Sequence, residues 1–141
     1  MTLYDLLEQD EGSRGRVYFL NGIPHVGVGH NLVSGPEISP EVRRMILRQD
    51  VATFTDKIEG DVEGWKKLND VRQAVIVSIA FQCGYAGLLG FVKMLQAVAL
   101  GDFTGAAREI RNSQLAHQNV ERTARLAAMM ESGTWSPSGG T

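Results

Sequence analysis

Two side chains near the N-terminus, Glu11 and His25, have the chemistry of an acid–base pair. A carboxylic acid can donate a proton to a leaving group, and a neutral imidazole can take a proton from water or attack carbon directly. Gly27 and Gly29 follow the histidine closely, and because glycine has no side chain, a ligand can approach the strand backbone there. An acid and an imidazole beside a strand with exposed glycines therefore indicate a catalytic site.

A β-hairpin is the element that must position the imidazole. Two strand-like runs flank Asn21-Gly22, the dipeptide that best suits both positive-φ positions of a type I′ turn. With these two residues as the loop, the register follows by counting outward along both strands. It places Tyr18 directly opposite His25.

The two faces of this hairpin differ in composition. Because side chains alternate between the faces of a strand, His25, Gly27 and Gly29 are expected to share one face. Val17 and Phe19 lie on the other face, with the valines of the second strand. The pattern predicts that the valine face is the core side and that the histidine face is open.

A short helix must position the carboxyl group. Thr2 is a suitable N-cap, with Asp5 at the acidic position of a capping box, and Gly12 ends the helix just after Glu11. An acid at a helix C-terminus opposes the helix dipole, and such unfavourable placement is typical of functional sites. The alternative is that Glu11 is an ordinary solvated surface acid.

Composition limits the class of protein. The 141 residues are 43% hydrophobic and 21% charged, with a formal charge of −2, which argues against a general nucleic-acid binder. The single cysteine, Cys83, cannot form an intrachain disulfide and lies in the most apolar segment. We expect neither a membrane span nor a secretory signal, because no run of about 18 apolar residues and no basic start are present.

The rest of the chain is predicted to be helical. Ser39-Pro40 begins a helix that continues to about residue 59. Asn69 caps the next helix, which is apolar nearly all round, runs to about Cys83 and ends at Gly84, so it should be central and buried. Further helices are expected at about 88–100, 103–112 and 119–131.

The order and spacing of several motifs resemble the T-even phage type of lysozyme, glycoside hydrolase family 24. The matching residues are Asp-Glu-Gly at 10–12, Tyr18, Gly-Val-Gly-His at 27–30, Val71–Gly84, Gly90-Phe91, Ala106-Ala107, Gln118, Arg122 and Gly133-Thr134-Trp135. These segments cover most of the chain.

Two positions depart from the family pattern. The family places an aspartate, sometimes a cysteine, before the turn, and a threonine just ahead of Gly-x-Gly-His. Here the acid position falls on Leu20, or on Asn21 if the hairpin is one residue shorter, and the threonine position falls on His25.

The resemblance implies an α+β, mostly helical, lysozyme-like fold with a small β-hairpin lobe and a larger helical lobe joined by a long helix. The small lobe would span about 12–59 and the larger lobe about 1–11 and 60–135 of a single lysozyme-like domain over 1–141, with 136–141 a flexible tail.

It also implies a peptidoglycan muramidase that cleaves the β-1,4 bond between N-acetylmuramic acid and N-acetylglucosamine. Glu11 matches the general acid, and Arg122 holds the place of an arginine that pairs with it. The expected substrate-binding residues are Gly29, Asn31, Phe81 and Gln82, and the expected supporting residues are Tyr18, Gln118 and Arg122.

The expected partners follow from the same resemblance. The protein would act on peptidoglycan glycan strands as a monomer, without metal, cofactor, nucleic acid or stable membrane insertion. A phage endolysin of this kind would wait in the host cytoplasm until a holin releases it to the periplasm and cell wall.

The missing aspartate leaves alternatives open. His25 could replace it as base or nucleophile, or it could be a strand histidine that hydrogen-bonds Tyr18 or Glu11 and does no chemistry. Lytic transglycosylation would need Glu11 alone, because a hydroxyl of the sugar itself attacks. A catalytically silent wall-binding module is the third alternative, and Leu20 favours it.

Overall fold

The computed structural model describes residues 1–136. Within them the chain is mostly helical with one small sheet, which confirms the α+β class. The elements in order are α1 (Leu3–Glu11), β1 (Arg14–Leu20), β2 (Ile23–Gly27), β3 (His30–Asn31), α2 (Pro40–Asp61), a 3-10 turn (Trp65–Lys67), α3 (Asp70–Leu89), α4 (Val92–Ala99), α5 (Phe103–Arg111), α6 (Leu115–Gln118) and α7 (Val120–Ser132). The expected tail at 136–141 lies outside the described residues, apart from Ser136.

The chain divides into two compact units. Met1–Arg44, which we call the sheet unit, holds α1 and the three strands, and the helical unit begins at Met45, inside α2. In this division α1 is grouped with the sheet. The lobes that the resemblance implies, about 12–59 and about 1–11 with 60–135, stay a prediction.

Local hydrogen bonds form α1 as the sequence predicts. The Thr2 hydroxyl accepts from the Asp5 amide at 3.1 Å, and the Asp5 carboxylate accepts from the Thr2 amide at 2.7 Å, which completes the capping box. Gly12, with φ +76°, ends the helix, and its amide donates to the Glu8 carbonyl at 2.9 Å. Glu11 is therefore the last helical residue.

The hairpin has the predicted turn and register. Asn21 and Gly22 have φ angles of +51° and +77°, as a type I′ turn requires. Tyr18 pairs with His25, and Leu20 pairs with Ile23. The third strand, β3, is too short at two residues to have been recognised in the sequence; it pairs with β2 and makes an antiparallel sheet in the order β1-β2-β3.

The predicted core face of the hairpin is wrong. Val17 and Phe19 are 51% and 67% exposed, and no residue of the sheet unit is buried. A unit of three short strands and one helix of nine residues has too little apolar surface for a core of its own. Hydrogen bonds and turn geometry, rather than burial, hold its backbone.

The helical unit contains the hydrophobic core, with α3 as its central helix. Asn69 caps α3 by accepting from the Arg72 amide at 3.0 Å, as predicted. The buried apolar residues that pack together are Ile58, Val62, Trp65, Leu68, Val75, Ile76, Ile79, Ala80, Leu88, Met94, Val98, Ala106, Ala107, Ile110, Leu115, Leu126, Ala127 and Met130. At about 25 cal/mol per Å² of apolar surface removed from water, this cluster is the main source of stability.

Gly84 interrupts α3. Its φ of +78° and ψ of 165° are not helical, so α3 is two helical segments that meet at this glycine. The predicted stop at Gly84 is therefore confirmed, but the segment beyond it is helical up to Leu89, and α4 begins at Val92 rather than near residue 88. The short α6 was not predicted, because four residues show no helical period.

Among the described residues, α3 is long and apolar enough to cross a membrane by length and composition. The interruption at Gly84 and the burial of Val75, Ile76 and Ile79 in the core identify it as the central helix of a folded unit.

Two glycine substitutions should move stability in opposite directions. Nothing lies within 4 Å of a Cβ added at Gly84 or at Gly60, but Gly84 has φ +78° and Gly60 lies within α2. Gly84→Ala should lower the free energy of unfolding by about 1–3 kcal/mol through backbone strain. Gly60→Ala should raise it by about 0.5–1 kcal/mol through helix propensity. Urea unfolding followed by circular dichroism measures both, and shifts of the same sign would contradict the assignment of strain to Gly84.

The hydroxyl of Tyr85 should ionise at an unusually high pH. It donates to the Asp61 carboxylate, and this hydrogen bond raises the pKa of Tyr85 from 10.0 to about 12. Since the folded pKa lies above the unfolded one, the stabilisation is complete below pH 10 and is lost as the pH rises to about 12. The part of the phenolate absorbance that Tyr85→Phe removes should therefore develop near pH 12. Asp61→Asn should move this part to lower pH; an unchanged titration of Tyr85 in Asp61→Asn would refute the bond.

Candidate active site

Glu11 lies against the sheet of its own unit. A Cβ placed at Gly29 would stand 3.5 Å from Glu11 Oε2 and 3.6 Å from Glu11 Cγ, an ordinary van der Waals distance, so the Glu11 side chain lies beside this glycine. Glu11 is exposed, and its carboxyl group is open to a ligand from the solvent side. The end of α1 and the turn after β2 thus meet at one place.

The two glycines of this region do not lie on a strand face as predicted. Gly27 has φ +69° and Gly29 has φ +70°, values that favour glycine and end the alternation of side chains. They form, with Val28, the turn between β2 and β3. The bare surface is therefore a turn that only glycine forms without strain, which explains the residue type as well as the close approach of Glu11.

His25 is half-buried on β2, opposite Tyr18 on one side and Asn31 on the other. Its Nδ1 lies 2.9 Å from the Ile23 carbonyl oxygen. A carbonyl oxygen only accepts hydrogen bonds, so Nδ1 carries the proton in the neutral ring and Nε2 keeps its lone pair. An imidazole in this tautomer can act as a base or as a nucleophile through Nε2.

A stacked column supports this ring. Tyr18 stacks on His25 with ring centroids 5.6 Å apart and planes inclined by 28°, and the guanidinium carbon of Arg14 lies 4.5 Å from the centroid of Tyr18. The expected alternative of a hydrogen bond from His25 to Tyr18 or Glu11 is replaced by the bond to Ile23 and the stack. Arg14 was missed because counting outward from the turn places it opposite Gly29, whereas the register irregularity between Arg14 and Tyr18 places it opposite Gly27.

Neither residue at the missing acid position is placed for catalysis. Leu20 is an apolar side chain at the end of β1, 52% exposed. Asn21 is in the left-handed conformation that closes the turn. Neither of them is an ionisable group, so neither can act as a general acid, a base or a charged nucleophile.

Asn31 has a structural role in the loop that follows the sheet. Its Oδ1 accepts from the amides of Val33 and Ser34 at 2.8 and 2.9 Å. Its backbone oxygen accepts from Gly35 and would lie 2.3 Å from a Cβ there, which explains the glycine. Of the two polar atoms in the Asn31 side chain, Nδ2 is therefore the one left for the predicted substrate contact.

In the helical unit, Phe81 and Gln82 line different cavities. Phe81 lies beside Trp65 and Arg122 in an apolar cavity of about 490 Å³ and packs on Phe54 with ring centroids 4.9 Å apart. Gln82 and Gln118 line a second cavity of about 350 Å³. The sequence analysis predicted that Phe81 and Gln82 both bind substrate. Neighbouring residues of a helix point in different directions, so these two side chains line different cavities.

Arg122 is held by the central helix of its unit. Its guanidinium donates to the Ser78 hydroxyl at 3.0 Å and to the Ser78 carbonyl at 3.4 Å. The predicted pairing of Arg122 with Glu11 stays a prediction. Burial raises the pKa of the nearby Cys83 thiol, and the charge of Arg122 opposes this, so the thiol stays protonated at neutral pH.

No cluster of three or more His, Cys, Asp or Glu side chains that could hold a metal occurs among residues 1–136.

Comparison with known proteins identifies the family. The chain is 26% identical over 161 aligned positions to the pre-baseplate central spike protein Gp5 of Enterobacteria phage T4, covering 94% of this chain but 28% of that protein. It is 24% identical to the probable T4-type lysozymes 1 and 2 of Dictyostelium discoideum, with 94% of this chain and 95% of each relative covered. The phage lysozyme family model matches residues 8–128, a segment that runs from the end of α1 into α7, and the chain therefore belongs to the phage lysozyme family.

Proposed function

We propose that the protein is a muramidase that hydrolyses the β-1,4 bond between N-acetylmuramic acid and N-acetylglucosamine in peptidoglycan. Family membership supports the substrate class. The observation that carries the proposal is the sheet unit itself, where the Glu11 side chain lies beside Gly29 and the His25 Nδ1 donates to the Ile23 carbonyl, which leaves the lone pair of the neutral ring at Nε2. An acid and a base on one small scaffold suit glycosidic cleavage.

The proposed reaction begins with protonation of the glycosidic oxygen by Glu11 as the bond to the anomeric carbon breaks. Nε2 of His25 takes a proton from the attacking water, whose oxygen forms the new bond to carbon. In the alternative course Nε2 attacks the anomeric carbon, and water then displaces the imidazole from this intermediate. In the first course His25 then releases its proton to solvent and the Glu11 carboxylate regains one from solvent. In the second course the Glu11 carboxylate takes the proton of the water that displaces the imidazole. Neither course requires a metal or a cofactor.

His25 is assigned the role of base or nucleophile because the residues at the family's aspartate position cannot fill it. Leu20 has no ionisable group, and Asn21 closes the turn with φ +51°. Direct attack by the histidine would retain the anomeric configuration, and attack by water would invert it.

Two other functions remain as alternatives to hydrolysis. Lytic transglycosylation uses Glu11 with a hydroxyl of the sugar as the nucleophile, and it would yield anhydro-muropeptides. A silent wall-binding module is the second, which the apolar Leu20 favours. It would bind peptidoglycan without cleaving it.

The biological setting is also a proposal. We propose a phage endolysin that waits in the host cytoplasm and reaches the periplasm and cell wall when a holin opens the membrane, acting as a monomer. The chain covers 95% of each of the two Dictyostelium relatives, which are probable T4-type lysozymes, and this supports the endolysin setting. The match to 28% of a central spike protein supports the alternative that such a domain works within a larger assembly.

Substitution of the two reactive groups tests the mechanism. Glu11→Gln should lower the rate of turbidity loss of permeabilised Gram-negative cells by at least about 100-fold, because the proton donor is lost. His25→Ala should lower it by a similar factor. Glu8→Gln on the same helix and His117→Ala in α6 are matched controls that should keep full activity.

The outcomes separate the three functions. Full activity of His25→Ala together with anhydro-muropeptides in the mass spectrum would favour transglycosylation. Wall binding by the wild type without turbidity loss, indifferent to Glu11→Gln, would favour the silent module. Reducing-end muropeptides that disappear in both variants are the result expected for the muramidase.

Gly29→Ala should impair activity without unfolding the protein. Alanine at φ +70° is strained, and relief of this strain would shift the backbone that lies beside the Glu11 side chain. We expect about a tenfold loss of kcat, the equivalent of about 1.4 kcal/mol of misplacement. Gly15→Ala in β1 is the control, because φ is not positive there and nothing lies within 4 Å of the new Cβ. Equal activity of the two variants would argue against a role for the Glu11–Gly29 contact.

A further inference from the structure

We propose that Arg14 is a positioning residue for His25, acting through the ring of Tyr18 to hold the imidazole in the tautomer that leaves Nε2 unprotonated. The inference rests on the proposed role of His25 as base or nucleophile. Arg14 itself does not have to touch the substrate.

The three side chains form a continuous column on one face of the sheet. The Arg14 guanidinium carbon lies 4.5 Å from the Tyr18 centroid, and the Tyr18 and His25 centroids are 5.6 Å apart. Tyr18 and His25 are direct cross-strand partners, and Arg14 pairs with Gly27, which has no side chain to compete for the ring. The phenol is thus held between a cation and an imidazole.

Arg14 has no competing electrostatic partner in the part of the chain that the structure describes. The two ion pairs found there join Arg43 to Glu37 and Arg111 to Glu131. The aromatic ring is therefore the main contact of the Arg14 cation. A positive charge over the face of a tyrosine is attracted by the ring quadrupole.

The column matters because core packing does not fix the imidazole. No residue of the sheet unit is buried, so core packing does not select a rotamer for His25. Two contacts orient the ring: the Nδ1 hydrogen bond to the Ile23 carbonyl at 2.9 Å and the stack on Tyr18. Contacts of these kinds bias an equilibrium by about two- to tenfold. Loss of the stack should free the ring to turn away from Ile23 and to populate the other neutral tautomer.

Ring-nitrogen NMR of His25 tests the proposal without relying on activity. In the wild type the Nδ1–H tautomer should dominate. In Arg14→Ala and in Tyr18→Leu the two tautomers should mix, and kcat should fall about three- to tenfold while KM stays unchanged. Arg14→Lys should restore part of the preference for the Nδ1–H tautomer and part of kcat, since an ammonium group also binds a ring face. Arg16→Ala on the same strand is the control and should change neither.

The possible results distinguish this inference from the proposed function. An unchanged His25 tautomer and unchanged kcat in both Arg14→Ala and Tyr18→Leu would overturn the positioning role and leave the muramidase intact. A tautomer shift with full activity of His25→Ala would instead show that the column exists and that the histidine is not catalytic. A lower kcat without any tautomer shift would also refute positioning through the column.

Discussion

The positive φ angles of Asn21 and Gly22 are the constraint on which the site depends. They close a two-residue turn, and the turn sets the pairing of β1 with β2. Since side chains alternate with a period of two, a slip of one residue would move His25 to the opposite face and away from Tyr18. In a unit with no buried residue, no core would correct such an error. The chemistry of the sheet therefore follows from two backbone conformations at its tip.

The helical unit obeys a different constraint. Its apolar residues, from Ile58 to Met130, pack around α3, so burial determines which faces turn inward. Gly84 allows α3 to change direction before Leu88 enters the same core. Stability is thus concentrated in one unit, while the other exposes the acid and the imidazole. Reactive groups are commonly found in the less stable parts of a protein, because they must meet a ligand.

The exchange of an aspartate for an imidazole is consistent with this division of roles. The position where the family has an acid holds Leu20 or the turn residue Asn21, and Asn21 is among the residues best able to adopt φ > 0. The proposed base, His25, lies on the next strand, β2, where the Ile23 carbonyl favours the tautomer with the proton on Nδ1. In the proposed mechanism the acid stays at the family position, Glu11 at the end of α1, and only the base lies at a different position, on β2.

Local signals in the sequence determined the elements of this protein. Caps at Thr2, Asn69 and Asn119, the turn at Asn21-Gly22 and the stop at Gly84 act through neighbouring residues, so they are readable without coordinates. Tertiary structure alone decided what burial and distant contacts control. It exposed the valine face, bent the chain at Gly27 and Gly29 beneath Glu11, put Phe81 and Gln82 in separate cavities, and set Arg14 over Tyr18. The physical reason is that a sequence pattern states which side chains share a face, whereas the surroundings of that face depend on residues far along the chain.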